Sequence, residues 1–80
     1  MVTPEDVKRY IAAGLACEFL EVAGDGQHFE ALIVSTLFEG KRLIQRHQLV
    51  YAALGDRMRE EVHALSMKTL TPQEHAAQAR

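Results

Sequence analysis

Four histidines, one cysteine and an aspartate flanked by two glycines are the side chains of this 80-residue sequence whose types point to chemistry. Neutral imidazole is a good ligand for iron or zinc. The lone Cys17 cannot form an internal disulfide, and one thiolate cannot hold an iron–sulfur or structural zinc site alone. Its setting, beside alanines and ahead of Phe19, suits a small buried hydrophobe. No Ser–His–Asp or Cys–His arrangement can be read from the spacing, and Glu60-Glu61 reads as a solvated helix end, so no enzymatic activity is expected. His47 falls within an apolar helical stripe and is expected as a packed, hydrogen-bonded core residue. His75 belongs to a short terminal segment and is expected to do nothing specific. His28 and His63 each stand at the start of a β-rich run. Their separation matches no short zinc motif. Two readings are open for them: half-exposed strand-end side chains, or a convergent pair of ligands.

The elements that must position these residues can be read from local patterning. Thr3-Pro4-Glu5-Asp6 is a helix start, with a capping hydroxyl, proline at the first helical position and acids at the positive dipole end. Val7, Tyr10, Ile11 and Leu15 continue at helical spacing, and Gly14 ends the helix. Cys17 to Val22 reads as a strand, Gly24-Asp25-Gly26 as a tight turn and His28 to Ser35 as a second strand, together a hairpin. Phe38-Glu39-Gly40-Lys41 is a turn. From Arg42 to about Arg59, Leu43, Ile44, His47, Val50, Tyr51, Leu54 and Met58 recur every three or four residues, which predicts one helix bent or closely packed at Gly55. Leu43, Val50, Tyr51 and Leu54 are its expected core residues. His63 to Leu70 reads as a third strand, and Thr71-Pro72-Gln73-Glu74 repeats the helix-start chemistry.

The order α-β-β-α-β-α defines one domain over residues 1–80, an α+β fold with a three-stranded mixed sheet and its helices packed on one face. Strands two and three, joined through a helix, should run parallel. Their starts then lie at one end of the sheet, beside the first hairpin turn. Asp25, His28 and His63 should therefore converge on one edge.

Nine basic against eleven acidic side chains give a net charge of −2, which argues against a purely electrostatic nucleic-acid binder. Lys41, Arg42 and Arg46 nevertheless cluster near one helix start, either as a solvated face or as a docking patch for an anionic partner. Apolar runs such as Ala31–Val34 are far short of a membrane span, and no basic segment precedes an apolar one, so a cytoplasmic location is expected.

The segment Phe38-Glu39-Gly40-Lys41 through Arg46-His47-Gln48-Leu49-Val50-Tyr51 resembles the BolA-like family. His63-Ala64-Leu65-Ser66, Lys68-Thr69, Thr71-Pro72 and Gly24-Asp25-Gly26 ahead of His28-Phe29-Glu30 continue the match across essentially the whole chain. The short loop is similar to the family's bacterial form. The resemblance implies a KH-like (class II) fold and partnership with a monothiol glutaredoxin, the two proteins sharing a [2Fe–2S] cluster. The glutaredoxin cysteine and a glutathione thiol would hold one side, and the BolA-like chain the other. The family's C-terminal histidine ligand matches His63. Its second ligand, a His or Cys of the loop between the first two strands, matches His28, with Asp25 the lesser candidate. No cofactor is implied for the chain alone, which would be a monomer or weak dimer. His47 and Tyr51 take structural roles, and His75 stands where the family often has Trp. Transcriptional roles in the family make a KH-like DNA-binding regulator the alternative, although no GXXG loop is present.

Overall fold

The computed structural model describes residues 2–60 and 64–78. Helix α1 runs from Pro4 to Gly14. Its capping box is complete: the Thr3 hydroxyl accepts from the Asp6 amide at 3.1 Å, and the Asp6 carboxylate accepts from the Thr3 amide at 3.0 Å. Strands β1 (Phe19–Gly24) and β2 (Phe29–Val34) form the expected hairpin, and β3 (Leu65–Leu70) pairs parallel with β2. The sheet order is β1-β2-β3. Strand β1 is displaced two residues beyond the expected Cys17 to Val22 run, and β2 is one residue shorter at each end than the expected His28 to Ser35 run. His63, expected to open the third strand, lies outside the described residues.

Alternation along the strands divides the sheet into two faces. Leu20, Val22, Phe29, Ala31, Ile33, Leu65 and Met67 turn towards α1 and helix α2 (Leu43–Leu54), and with Val7, Ile11, Val50 and Leu54 they build the core. The expectation of helices on one face holds for α1 and α2 only. Helix α3 (Pro72–Gln78) lies against the other face, where the His75 ring stacks on Phe19 at 5.2 Å with an interplanar angle of 23°. Val34 and Leu70, aligned with Phe19 in the ladder, are buried there. His75, expected to do nothing specific, thus supplies a flat ring to this face.

The second helix departs most from expectation. It ends at Leu54 rather than near Arg59, because Gly55 takes φ 59° and ψ −132°, a conformation outside any helix and open to glycine alone at little cost. The chain continues in turns to residue 60, and these still deliver Met58, 1% exposed, to the core. Ahead of α2, Thr36–Phe38 forms a short 3-10 helix that buries Phe38 and leads into the expected turn at Phe38-Glu39-Gly40-Lys41.

Leu43 and Tyr51 are corrections to the expected core: they are 63% and 44% exposed, against 0% for Val50 and 2% for Leu54. Helix α1 meets α2 near its C-terminal half. A Cβ at Gly14 would come within 2.7 Å of Ala53 Cα, and Arg57 lies over the Tyr10 ring at 5.3 Å. Leu43 and Ile44, in the first turn of α2, lie ahead of this contact with α1 and face solvent.

Candidate functional site: the loop edge of the sheet

The β1–β2 connection is residues 25–28, and one carboxylate organises it. Asp25 Oδ1 accepts from the backbone amides of Gln27 and His28, both at 2.9 Å. The Asp25 amide donates to the His28 carbonyl at 3.2 Å, closing the turn. The two amides, that of His28 foremost, hold the Asp25 carboxyl below the usual carboxylate range. Gly26 takes φ 93°, the left-handed region this turn needs.

His28 is exposed and stands one residue ahead of the buried Phe29. In the parallel ladder Phe29 pairs with Leu65, so His28 and Ala64, the residue after His63, occupy the same edge on neighbouring strands, about 4.8 Å apart by strand spacing. The hairpin turn with Asp25 is at this end too. The topological expectation for Asp25 and His28 is met, and that for His63 falls outside the described residues. Among the described residues no three His, Cys, Asp or Glu side chains are grouped to hold a metal ion. An exposed imidazole on a fixed loop fits a metal ion or cluster that another protein also holds. Asp25 fits it less well, since one of its oxygens is spent on two amides.

Cys17 is remote from this edge. It precedes β1, whose six residues span about 20 Å at some 3.4 Å each, so the thiol sits at the opposite end of the sheet. It is half-buried and donates to the Leu15 carbonyl at 3.3 Å. Burial pushes its thiol pKa up, with the Glu18 charge adding to the effect. Such a thiol is a poor metal ligand.

The basic cluster also divides. Lys41 and Arg42 are exposed, as a docking patch requires. Arg46 is turned inward instead: its side chain is 13% exposed, and it donates to the carbonyls of Lys41 and Thr69, each at 3.0 Å, and to Glu74 Oε1 at 2.7 Å. It lies over the Phe38 ring at 5.9 Å. A guanidinium committed to these partners is a structural tie between α2, β3 and α3 rather than part of a free surface. Its seat depends on Thr69 and Glu74, which are distant in sequence, so the basic spacing alone gave no sign of it.

His47 is half-buried, and its ring meets Tyr51 edge-on at 6.5 Å. The packing agrees with a structural role. The expected hydrogen bonding is not seen at Nε2, which is shielded from solvent and meets no partner among the described residues, and the ring is half-buried rather than in the core. No helix of the described residues is long and apolar enough to cross a membrane.

Comparison with known proteins agrees with the motifs and the architecture. The family model described as "BolA-like protein" matches residues 11–74. Protein BOLA2 of Arabidopsis thaliana is 47% identical over 79 residues, covering 92% of this chain and 84% of its own length. The DNA-binding transcriptional regulator BolA of Escherichia coli is 32% identical over 84 residues, covering 92% and 80%. Among solved structures, a bolA protein homologue from Coxiella burnetii superposes with a TM-score of 0.84 at 47% identity, covering 95% of this chain and 99% of that one. Yeast Fra2 follows the same path with a TM-score of 0.76 at 29% identity, covering 94% and 85%. With the motifs in order, the mixed sheet between two helical layers and these relatives, the chain belongs to the BolA-like family.

Proposed function

We propose that this protein is an adaptor that binds a monothiol glutaredoxin and completes a [2Fe–2S] cluster shared between the two, serving cluster trafficking or iron-status regulation. The partner supplies a cysteine and a glutathione thiol, and this chain supplies His28 and His63. The observation that carries the reading is the exposed imidazole of His28 on the sheet edge that the β2–β3 register shares with Ala64, next in sequence to His63. Two imidazoles in place of two thiolates raise the reduction potential of a [2Fe–2S] centre and make its ligation sensitive to pH. The chain's own contribution is to hold His28 at an open edge, away from its core and from Cys17. A cluster of this kind is cargo: the fold is built on its apolar core.

The test is to mix the protein with glutathione-loaded monothiol glutaredoxin and record visible absorption and circular dichroism. A changed cluster spectrum on mixing, altered again by His63→Ala and by His28→Ala while the complex still forms, is the expected result. An unchanged spectrum in His63→Ala within an intact complex would sink the assignment.

A second reading, a nucleic-acid-binding regulator, draws on the exposed Lys41 and Arg42 and on the similarity to the DNA-binding transcriptional regulator of Escherichia coli. The net charge of −2 limits its electrostatic reach. Steeply salt-dependent DNA affinity, weakened by Lys41→Ala and Arg42→Ala, would favour it; no affinity at physiological salt would count against it.

A further inference from the structure

We infer that Asp25 is a positioning residue for His28, fixing the backbone from which the imidazole projects; this rests on the reading of His28 as a ligand. Three contacts converge on that backbone. The His28 amide donates to Asp25 Oδ1 at 2.9 Å, and its carbonyl accepts from the Asp25 amide at 3.2 Å. Both polar groups of the His28 backbone are therefore held by one residue. The third contact is steric. A Cβ on Gly24 would lie 2.4 Å from the His28 carbonyl oxygen and 2.9 Å from the Phe29 ring, so β1 closes on this loop with no room for a side chain.

The next residue, Phe29, is 1% exposed and anchors the loop to the core. His28 is left with its two side-chain torsions as its main freedom. A ligand presented this way loses little conformational entropy when it engages a metal, so the bound state gains and dissociation slows. An exposed loop of four residues without the Asp25 ties would sample many backbone states and lose that advantage.

The geometry also separates this role from direct ligation. Asp25 Oδ1 is shared by two amides, those of Gln27 and His28, and drawing the carboxylate out to a metal would release both. Asp25 thus acts through His28. Asparagine keeps a carbonyl oxygen at the Oδ1 position and should preserve the turn, whereas alanine removes the acceptor. The contrast between these variants carries the test.

Two measurements on Asp25→Ala and Asp25→Asn decide the matter. The first is amide hydrogen exchange at Gln27 and His28 in the cluster-free protein. The second is circular dichroism of the mixed cluster with a monothiol glutaredoxin, followed by its rate of loss to a chelator. In Asp25→Ala, exchange at both amides should rise about tenfold, the scale of one lost hydrogen bond. The cluster should keep its spectrum and be lost severalfold faster. Asp25→Asn should stay close to wild type in both. Wild-type exchange and wild-type cluster lifetime in Asp25→Ala would overturn this inference alone. A changed spectrum in both Asp25 variants would make Asp25 a ligand and overturn it as well. A wild-type spectrum in His28→Ala would overturn the ligand reading, and this inference with it.

Discussion

Arg46 and Glu74, 28 residues apart in sequence, form a fork across three elements: Nη1 meets Oε1 at 2.7 Å and Nη2 meets Oε2 at 3.4 Å. The same Nη1 donates to the Thr69 carbonyl, and Glu74 Oε1 also accepts from the Thr71 amide at 2.8 Å. The Thr71 hydroxyl completes a capping box by accepting from the Glu74 amide at 3.1 Å. The seven-residue helix α3, too short to be stable alone, is tied down by this network and by the His75–Phe19 stack.

This network predicts an acid-sensitive contribution to stability. The Arg46 guanidinium beside Glu74, helped by the Thr71 amide, holds its carboxyl at about 2, against an ordinary 4.5. A carboxylate with a folded-state pKa below its unfolded one stabilises fully above about pH 4.5, and the gain is lost as pH falls towards 2. Glu74→Gln should melt below wild type at neutral pH, and the two curves should converge as pH falls through that window. Equal melting temperatures at neutral pH would show that the pair contributes nothing net.

Arg46→Lys should not rescue the loss caused by Arg46→Ala. A lysine ammonium cannot reproduce the planar fork that spans the Thr69 carbonyl and both Glu74 oxygens. Both variants should lower the melting temperature, by about 5 °C if about 1 kcal/mol is lost. Full recovery in Arg46→Lys would reduce the site to a point charge.

Core and surface positions of α2 should separate cleanly. Leu54→Ala opens a cavity at a buried position of α2 and should cost about 2–5 kcal/mol in denaturant unfolding. Leu43→Ala, at an exposed site on the same stripe, should stay within about 0.5 kcal/mol. A similar cost for both would contradict the placement of α2.

Gly55→Ala should destabilise although open space surrounds the new methyl group, because the strain lies in the backbone at φ 59°. A cost of about 1–3 kcal/mol is expected. A neutral substitution would mean that the helix extends through this position at no penalty.

Chelator treatment should leave thermal unfolding of the isolated protein unchanged, since Val7, Ile11, Phe29, Ile33, Phe38 and Val50 form a core that needs no metal. A large fall in melting temperature on chelation would contradict this.

The features legible from the residues alone were mostly local. Thr3-Pro4 and Thr71-Pro72 mark two helix starts because hydroxyl and proline act within one turn of themselves. Gly24-Asp25-Gly26 marks the hairpin because the turn needs only its own residues. The parallel pairing of β2 and β3 followed from the intervening helix, and with it the placing of His28 at the loop edge. The motifs around Arg46-His47 and His28-Phe29 made the family legible. The tertiary structure decided what depends on partners far along the chain. A helical stripe shows which side of α2 is apolar, not how far α1 and the sheet extend beneath it, so Leu43 and Tyr51 were expected inside and lie outside. Arg46 reads as one of three neighbouring cations until Phe38, Thr69 and Glu74 are folded around it. The terminal helix has no apolar stripe to choose a face. Only the row of Phe19, Val34 and Leu70, assembled from three strands, gives it a surface to cover. Most of the contacts that set these outcomes join residues more than a dozen apart, such as Arg46 with Thr69 and Glu74, where local propensity and spacing carry no information about geometry.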